Sequence, residues 1–217
     1  MATNAPNLPP AQLPGPPPAQ PQPPAPPCGP WGSFFRRLGR VLVQPSSFWS
    51  SMHGEGPTIA QVMWPHAVTL VGLRAAAGFI GSVLGGARIG ASLGQFATSF
   101  VAWMAMIWVF ATIAGSIASA RGAKAALHDA LRFSAFGLTP LFLVGVLAVV
   151  PVPYVSPAAE LLLMPWTFYV VALGVVPVLG VPESRAPATV GILCGVTVIL
   201  WSVMPTLASL AMAAALR

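Results

Sequence analysis

Five long apolar runs follow one another along the chain, and short segments with polar or charged residues separate them. The runs cover about residues 62–84, 96–119, 133–150, 160–181 and 188–214. Each is close to the roughly 20 residues that a helix needs to cross a bilayer. The fourth run contains Pro165 and Pro177, which leaves a four-span alternative with this run re-entrant, although neighbouring helices can satisfy the carbonyls that a proline frees. The pattern predicts an all-α, polytopic membrane protein with five transmembrane helices.

An amphipathic segment precedes the first run. In residues 31–43, the apolar side chains fall on one face of a helix and the arginines on the other. The apolar face holds Trp31, Phe34, Phe35, Leu38 and Leu42, and the polar face holds Arg36, Arg37 and Arg40. Such a helix is typical of the membrane interface. Pro45 ends it, and Phe48 and Trp49 are predicted to be further interfacial anchors, so we assign residues 31–52 to an interfacial segment.

Residues 1–30 contain 13 of the 25 prolines of the chain. Proline has no amide proton and keeps its neighbours out of the helical region, so this segment is predicted to be a disordered tail. The expected organisation is a tail at 1–30, the interfacial segment at 31–52 and a five-helix transmembrane domain at 62–214.

Lysine and arginine are unevenly distributed between the two sides of the predicted bundle. One side holds Arg36, Arg37, Arg40, Arg121, Lys124, Arg132 and Arg185; the other holds Arg88 and Arg217. Cytoplasmic segments carry the excess of basic residues in membrane proteins, so we predict a cytoplasmic N-terminus and a C-terminus on the opposite side. The basic residues flank apolar runs, which favours anionic lipid head groups as partners over nucleic acid, despite the net charge of +6.

The segment at residues 121–132, RGAKAALHDALR, joins the second and third runs on the predicted cytoplasmic side. Its alanines and leucines share one helical face, while Arg121, Lys124 and His128 share the other. We predict a short amphipathic helix that lies on the inner leaflet and offers Arg121 and Lys124 to lipid or to a protein partner. Arg132 marks the start of the third span.

The composition excludes a water-soluble domain, because 56% of the residues are hydrophobic and only 6% are charged. The two cysteines and three histidines are too dispersed for a disulfide or a metal site. Residues 90–94, GASLG, match a nucleophile pattern, but no acid and histidine follow in the required order. We therefore expect no catalytic residue, metal or cofactor.

Arg74 lies near the middle of the first run. A central arginine costs about 2.5–3.5 kcal/mol on insertion scales. It marks either a functional site, for an anion, a lipid head group or a proton, or a tilted helix whose arginine reaches the interface or neighbouring carbonyls. Glu160 is expected at the outer end of the fourth run, so no carboxylate is an obvious partner.

Small residues recur every fourth position from Gly78 through Ser82, Gly86 and Gly90 to Gly94. Small residues at this period permit close helix approach. The pattern predicts packing either within the protein or between the protomers of a homo-oligomer.

The start of the third run, RFSAFGLTPLFLVGVLAVVP, resembles the signature region of the Yip family. These membrane proteins are named for binding Ypt/Rab GTPases and have a cytoplasmic N-terminal region before five spans. The matching pattern is a small residue, an aromatic residue and then Thr-Pro, here from Ala135 to Pro140. The segments RVLVQPSSFWSSM and FYVVALGVVPVLGVPESRAPATVGI are also similar to the family, so the resemblance covers roughly residues 40–214. Thr139 and Pro140 are expected to bend the third span, with the threonine hydroxyl bonded one turn back.

The resemblance implies a non-enzymatic scaffold, adaptor or membrane-organising protein with a cytoplasmic protein partner. The tail lacks the acidic, tyrosine-containing motif of trafficking members, so GTPase binding does not carry over. The lysine-poor composition indicates a bacterial member in the inner membrane; a eukaryotic member would lie in the ER or Golgi. The alternative function is a small transporter or permeability element that uses Arg74.

Overall fold

A computed structural model describes residues 30–52, 57–152 and 154–215 of the chain. The described residues form helices and no strands. Five helices are long and apolar enough to cross a membrane, which confirms the predicted fold class. We number these spans 1 to 5 in chain order: Ile59–Leu84, Ile89–Ala120, Leu127–Val149, Val155–Leu179 and Glu183–Leu210. The predicted Pro-rich tail lies outside the described residues, except for Pro30.

Two helices precede span 1. Helix α1 covers Pro30–Val43 and helix α2 covers Pro45–Ser50. In α1, Phe34 and Val41 are buried against the bundle, whereas Trp31 and Phe35 are exposed. The amphipathic pattern therefore places one part of the apolar face on the protein and leaves another part free.

Phe48 and Trp49 of α2 are not interfacial anchors, and that prediction is wrong. Each is only 1% exposed. The reason is that α2 packs on span 4, where the Trp49 indole N–H donates to the carbonyl of Val170 at 2.8 Å. The Phe48 ring lies 5.0 Å from the ring of Phe136 in span 3. Gly174 of span 4 leaves room for the rings of Trp49 and Phe133, because an added Cβ would lie 3.0 Å from the Trp49 ring and 2.9 Å from the Phe133 ring.

The predicted surface helix over residues 121–132 is also wrong. Residues 121–126 form a turn and an irregular segment, and the helix begins at Leu127 and continues into span 3. Its apolar face packs on span 2, where the Cβ of Ala130 lies close to Gly115. Arg132 is 7% exposed and donates to the carbonyl of Pro57 at 2.6 Å, so it is part of the span. From Ala130 to Arg132 the residues are buried in the bundle, so this end of the segment does not lie on the leaflet.

Span 3 is broken near its middle. Its first helix covers Leu127–Gly137 and its second covers Thr139–Val144, and a 3-10 turn over Gly145–Val149 ends it. Span 4 stays helical through both of its prolines. Because successive spans cross in alternating directions, the connecting segments lie at two ends of the bundle. One end, which we call the basic end, holds α1, α2, residues 121–126 and residues 180–185. Residues 85–88, 150–152 and 154 lie at the opposite end.

Candidate functional site

A buried ion pair joins span 1 to span 4. The Arg74 guanidinium Nη2 lies 2.8 Å from the carboxylate Oε1 of Glu160. Its Nη1 donates to the carbonyl of Leu141 in span 3 at 3.1 Å, and its carbon lies 3.9 Å from the ring centroid of Trp103 in span 2. Arg74 is 9% exposed and Glu160 is 3% exposed. Four spans therefore meet at a single charged side chain.

The Glu160 carboxylate has donors on both oxygens. Its Oε1 also accepts from the hydroxyl of Ser156 at 2.9 Å, and its Oε2 accepts from the indole N–H of Trp201 in span 5. A buried ion pair is tolerated when its remaining lone pairs and protons are bonded in this way. The expectation that Arg74 has no carboxylate partner is therefore wrong.

Two local features bring the ion pair together. Span 4 begins at Val155, so Glu160 lies one turn inside the span rather than at its end. Gly145 in span 3 supplies the space for the guanidinium, because a Cβ added there would overlap Arg74 Nη1. Residue 145 must therefore be glycine for Arg74 to occupy this site. Neither the start of span 4 nor the role of Gly145 is visible as a motif in the sequence.

A cavity of about 750 Å³ opens beside the ion pair, towards the opposite end of the bundle. Arg74, Glu160 and Trp103 lie on its wall, together with residues of span 5. The other polar lining residues are uncharged: Ser82, Gln95, Ser99, Ser156, Trp201 and Ser202. The cavity is partly open to the surroundings of the bundle.

Gly78 and Ser82, the first two members of the stripe of small residues, lie on the wall of this cavity. A Cβ added to Gly78 would meet no atom within 4 Å, and the same holds for Gly86 and Gly90. Ser82 lies on the cavity wall and exchanges a hydrogen bond of 2.9 Å with Ser92 of span 2. At Gly78 the prediction of close packing within the protein is wrong, because this position faces open space, whereas Ser82 contacts span 2. Packing between the protomers of a homo-oligomer stays a prediction.

Thr139 connects the break in span 3 to span 1. Its hydroxyl donates to the carbonyl of Ala135 at 3.0 Å, one turn back. The same oxygen lies 2.9 Å from Nε2 of His66, which is 1% exposed. Both bonds form together when His66 carries its proton on Nε2 and donates it to Thr139. Nδ1 of His66 has no hydrogen-bond partner among the described residues, so Thr139 supplies the polar contact of this ring.

Replacing Thr139 by valine should destabilise the protein by about 1–3 kcal/mol. The change keeps the shape of the side chain but leaves a buried imidazole N–H without an acceptor. Thermal unfolding in detergent micelles measures the effect. Thr139→Ser retains the hydroxyl and should lose clearly less stability; equal losses for the two variants would contradict a role for the hydrogen bond.

The basic end of the bundle presents the residues that the sequence assigns to lipid or partner contact. Arg36 and Lys124 are exposed, and Arg37, Arg40 and Arg121 are partly exposed. Burial lowers the pKa of the Arg37 guanidinium from its ordinary value. A smaller cavity, of about 270 Å³, lies between α1 and the start of span 1 and has Arg37 and Arg40 on its wall. Two guanidinium groups beside a polar cavity are suited to a phosphate or carboxylate.

The chain matches a protein-family model over the region that holds the spans. Residues 39–204 match the family model of the Yip1 domain, from the end of α1 into span 5. No curated protein and no solved structure matches the chain. Among the described residues, no three histidine, cysteine, aspartate or glutamate side chains come together as metal ligands. The family match covers most of the chain and includes the broken third span with its Thr-Pro step, and the protein therefore belongs to the Yip family.

Proposed function

We propose that the protein is a non-enzymatic membrane scaffold or adaptor that uses its basic end to contact anionic head groups and a cytoplasmic protein. The observation that carries this proposal is the docking of α1. Phe34 and Val41 hold the helix on the bundle, so its arginines are fixed at the same end as Arg121 and Lys124. A preorganised cluster of charges loses less entropy on binding than charges on a free tail.

The exposed aromatic residues of α1 support a membrane role for this end. Trp31 is 50% exposed and Phe35 is 63% exposed, although both lie beside buried neighbours. Aromatic side chains are enriched at membrane interfaces, where basic side chains add about 1 kcal/mol each on an anionic leaflet. Arg37 and Arg40, on the wall of the smaller cavity, can then bind a head-group phosphate. The uneven charge favours a cytoplasmic location for this end.

A small transporter or permeability element is the second candidate, and the larger cavity favours it. The lining residues of this cavity run from Arg74 towards the opposite end of the bundle. Between Arg74 and the basic end, Phe110, Phe133 and Phe136 are fully buried and pack together. A transported molecule would have to cross this aromatic core, which requires a rearrangement of spans 2 and 3. The scaffold is therefore the better-supported function.

Photocrosslinking in the membrane tests the scaffold proposal. A photoreactive residue is placed at position 36, at position 124 or, as the control, at the exposed Arg88 of the opposite end. We expect anionic phospholipid and one recurrent protein to be captured at positions 36 and 124 but not at 88. Charge reversal by Arg37→Glu with Arg40→Glu should reduce the lipid capture at position 124 by roughly tenfold or more, since each basic residue near a leaflet is worth about 1 kcal/mol.

Either of two results would reject this function. Adducts that are the same at all three positions would mean that the basic end has no special partner. Lipid capture that is unaffected by the double charge reversal would mean that the arginines do not select the head group. Mass spectrometry of the adducts distinguishes these cases.

A further inference from the structure

The larger cavity has the chemistry of a lipid site. We infer that it binds the head group of one zwitterionic phospholipid, with the phosphate against Arg74 and the acyl chains directed to the bilayer. This site lies away from the basic end and does not depend on the scaffold function. Three features of the cavity support lipid binding: its location, its surplus of hydrogen-bond donors and its net charge.

The location points to a ligand from the membrane. All five spans contribute lining residues, span 3 through Ala148. Most of the wall is apolar, with alanine, glycine, proline and methionine side chains between the polar groups. Beside these residues, Leu93, Val101 and Leu207 are at least half exposed on the outside of the bundle. A molecule in the cavity is therefore next to acyl chains, and an amphiphile can place its polar part inside and its apolar part outside.

The hydrogen-bonding groups on the cavity wall favour a ligand that accepts hydrogen bonds. A guanidinium has five N–H groups, and Arg74 uses one for Leu141 and one for Glu160. The carboxylate of Glu160, by contrast, already accepts from Arg74, Ser156 and Trp201. The cavity thus has donors to spare beside an acceptor that is largely saturated. Phosphate oxygens are suited to such donors, and arginine binds them in a fork geometry.

The polar groups on the wall extend this pattern. The Gln95 amide donates to the hydroxyl of Ser99 at 3.3 Å, which leaves the second amide proton and the Ser99 hydroxyl proton available. Ser82 lies two turns beyond Arg74 on span 1, or about 12 Å along the helix. The Ser82 hydroxyl is already bonded to Ser92, but the polar wall is long enough for a phosphodiester with its glycerol ester groups.

Charge decides between classes of lipid. Among the described residues, Arg74 and Glu160 are the charged groups on the wall, and they neutralise each other at 2.8 Å. A ligand with a net negative charge would place an unbalanced charge in a largely apolar cavity, at a cost of several kcal/mol. A zwitterionic head group supplies phosphate oxygens without a net charge. The cavity is therefore expected to select zwitterionic over anionic phospholipid, opposite to the basic end.

Native mass spectrometry of the full-length protein tests this site. The protein is reconstituted in bilayers of equal parts phosphatidylethanolamine and phosphatidylglycerol and then released into detergent. Wild type should retain one phosphatidylethanolamine per chain. Gly78→Leu should reduce this occupancy by roughly tenfold or more, because Gly78 lies on the cavity wall and an added Cβ there meets no atom within 4 Å. Gly195→Leu is the matched control, since Gly195 is exposed on the outside of span 5 and an added Cβ also meets nothing there.

A second variant keeps the test decisive if Gly78→Leu fails to fold. Gln95→Leu has a similar size and removes the amide donors, so it should lower lipid retention several-fold while the unfolding temperature is unchanged. Equal retention of lipid by wild type and by a folded Gly78→Leu or Gln95→Leu would overturn the proposal. So would equal loss from the Gly195→Leu control, or retention of phosphatidylglycerol as strongly as phosphatidylethanolamine.

Discussion

Glu160→Ala should destabilise the folded protein by about 3–5 kcal/mol, the range for removal of one partner from a buried ion pair. The substitution leaves the Arg74 guanidinium without its counter-ion, and a guanidinium cannot give up its proton to escape the cost. Trp201 and Ser156 lose their acceptor in the same step. Unfolding in detergent micelles, followed by temperature or denaturant, measures the loss.

Glu183→Ala provides the control, because Glu183 is an exposed carboxylate at the basic end. Surface substitutions of this kind usually change stability by less than about 0.5 kcal/mol. If Glu160→Ala costs no more than Glu183→Ala, the buried ion pair does not stabilise the fold. The double variant Arg74→Leu with Glu160→Leu should regain a large part of the loss, since it removes both charges.

The spans were predictable because each must be apolar by itself. A helix in lipid satisfies its backbone internally but has to cover its outside with apolar side chains, and this leaves a run of about 20 residues in the sequence. The starts of spans 2 and 4 were less visible. Residues 89–95 consist mostly of small residues, and residues 155–159 precede a glutamate. Both stretches have few large apolar side chains although they are helical.

The candidate site was only half predictable, for a related reason. Arg74 is conspicuous because an unpaired charge in a span is costly. Glu160 was placed at a span end, where a charge is ordinary, and its depth follows from the true start of span 4. The contacts of Arg74 with Trp103 and Leu141 join residues on different spans, so no spacing along the chain reveals them. Trp49 was misplaced because aromatic residues are common both at interfaces and in cores.

Gly81→Ala should destabilise the protein by about 1–3 kcal/mol or more, as overpacking does in a rigid site. Span 1 crosses the 3-10 turn Gly145–Val149 at this residue, and a Cβ on Gly81 would overlap the carbonyl oxygen of Ala148. The obstacle is backbone, which cannot rotate away as a side chain can. The effect is measured as a fall in the unfolding temperature in detergent micelles.

Gly78→Ala tests whether contact, rather than loss of a helical glycine, decides the result. Gly78 is in the same helix, but an added Cβ there meets no atom within 4 Å. Alanine is more favourable than glycine in a helix interior by about 1 kcal/mol, so Gly78→Ala should leave stability unchanged or raise it. A loss of stability for Gly81→Ala together with an unchanged or higher stability for Gly78→Ala would show that span 1 packs closely at Gly81. It would also show that Gly78 faces the open cavity. A loss of stability at both positions would instead mean that the cavity closes around Gly78 in the membrane.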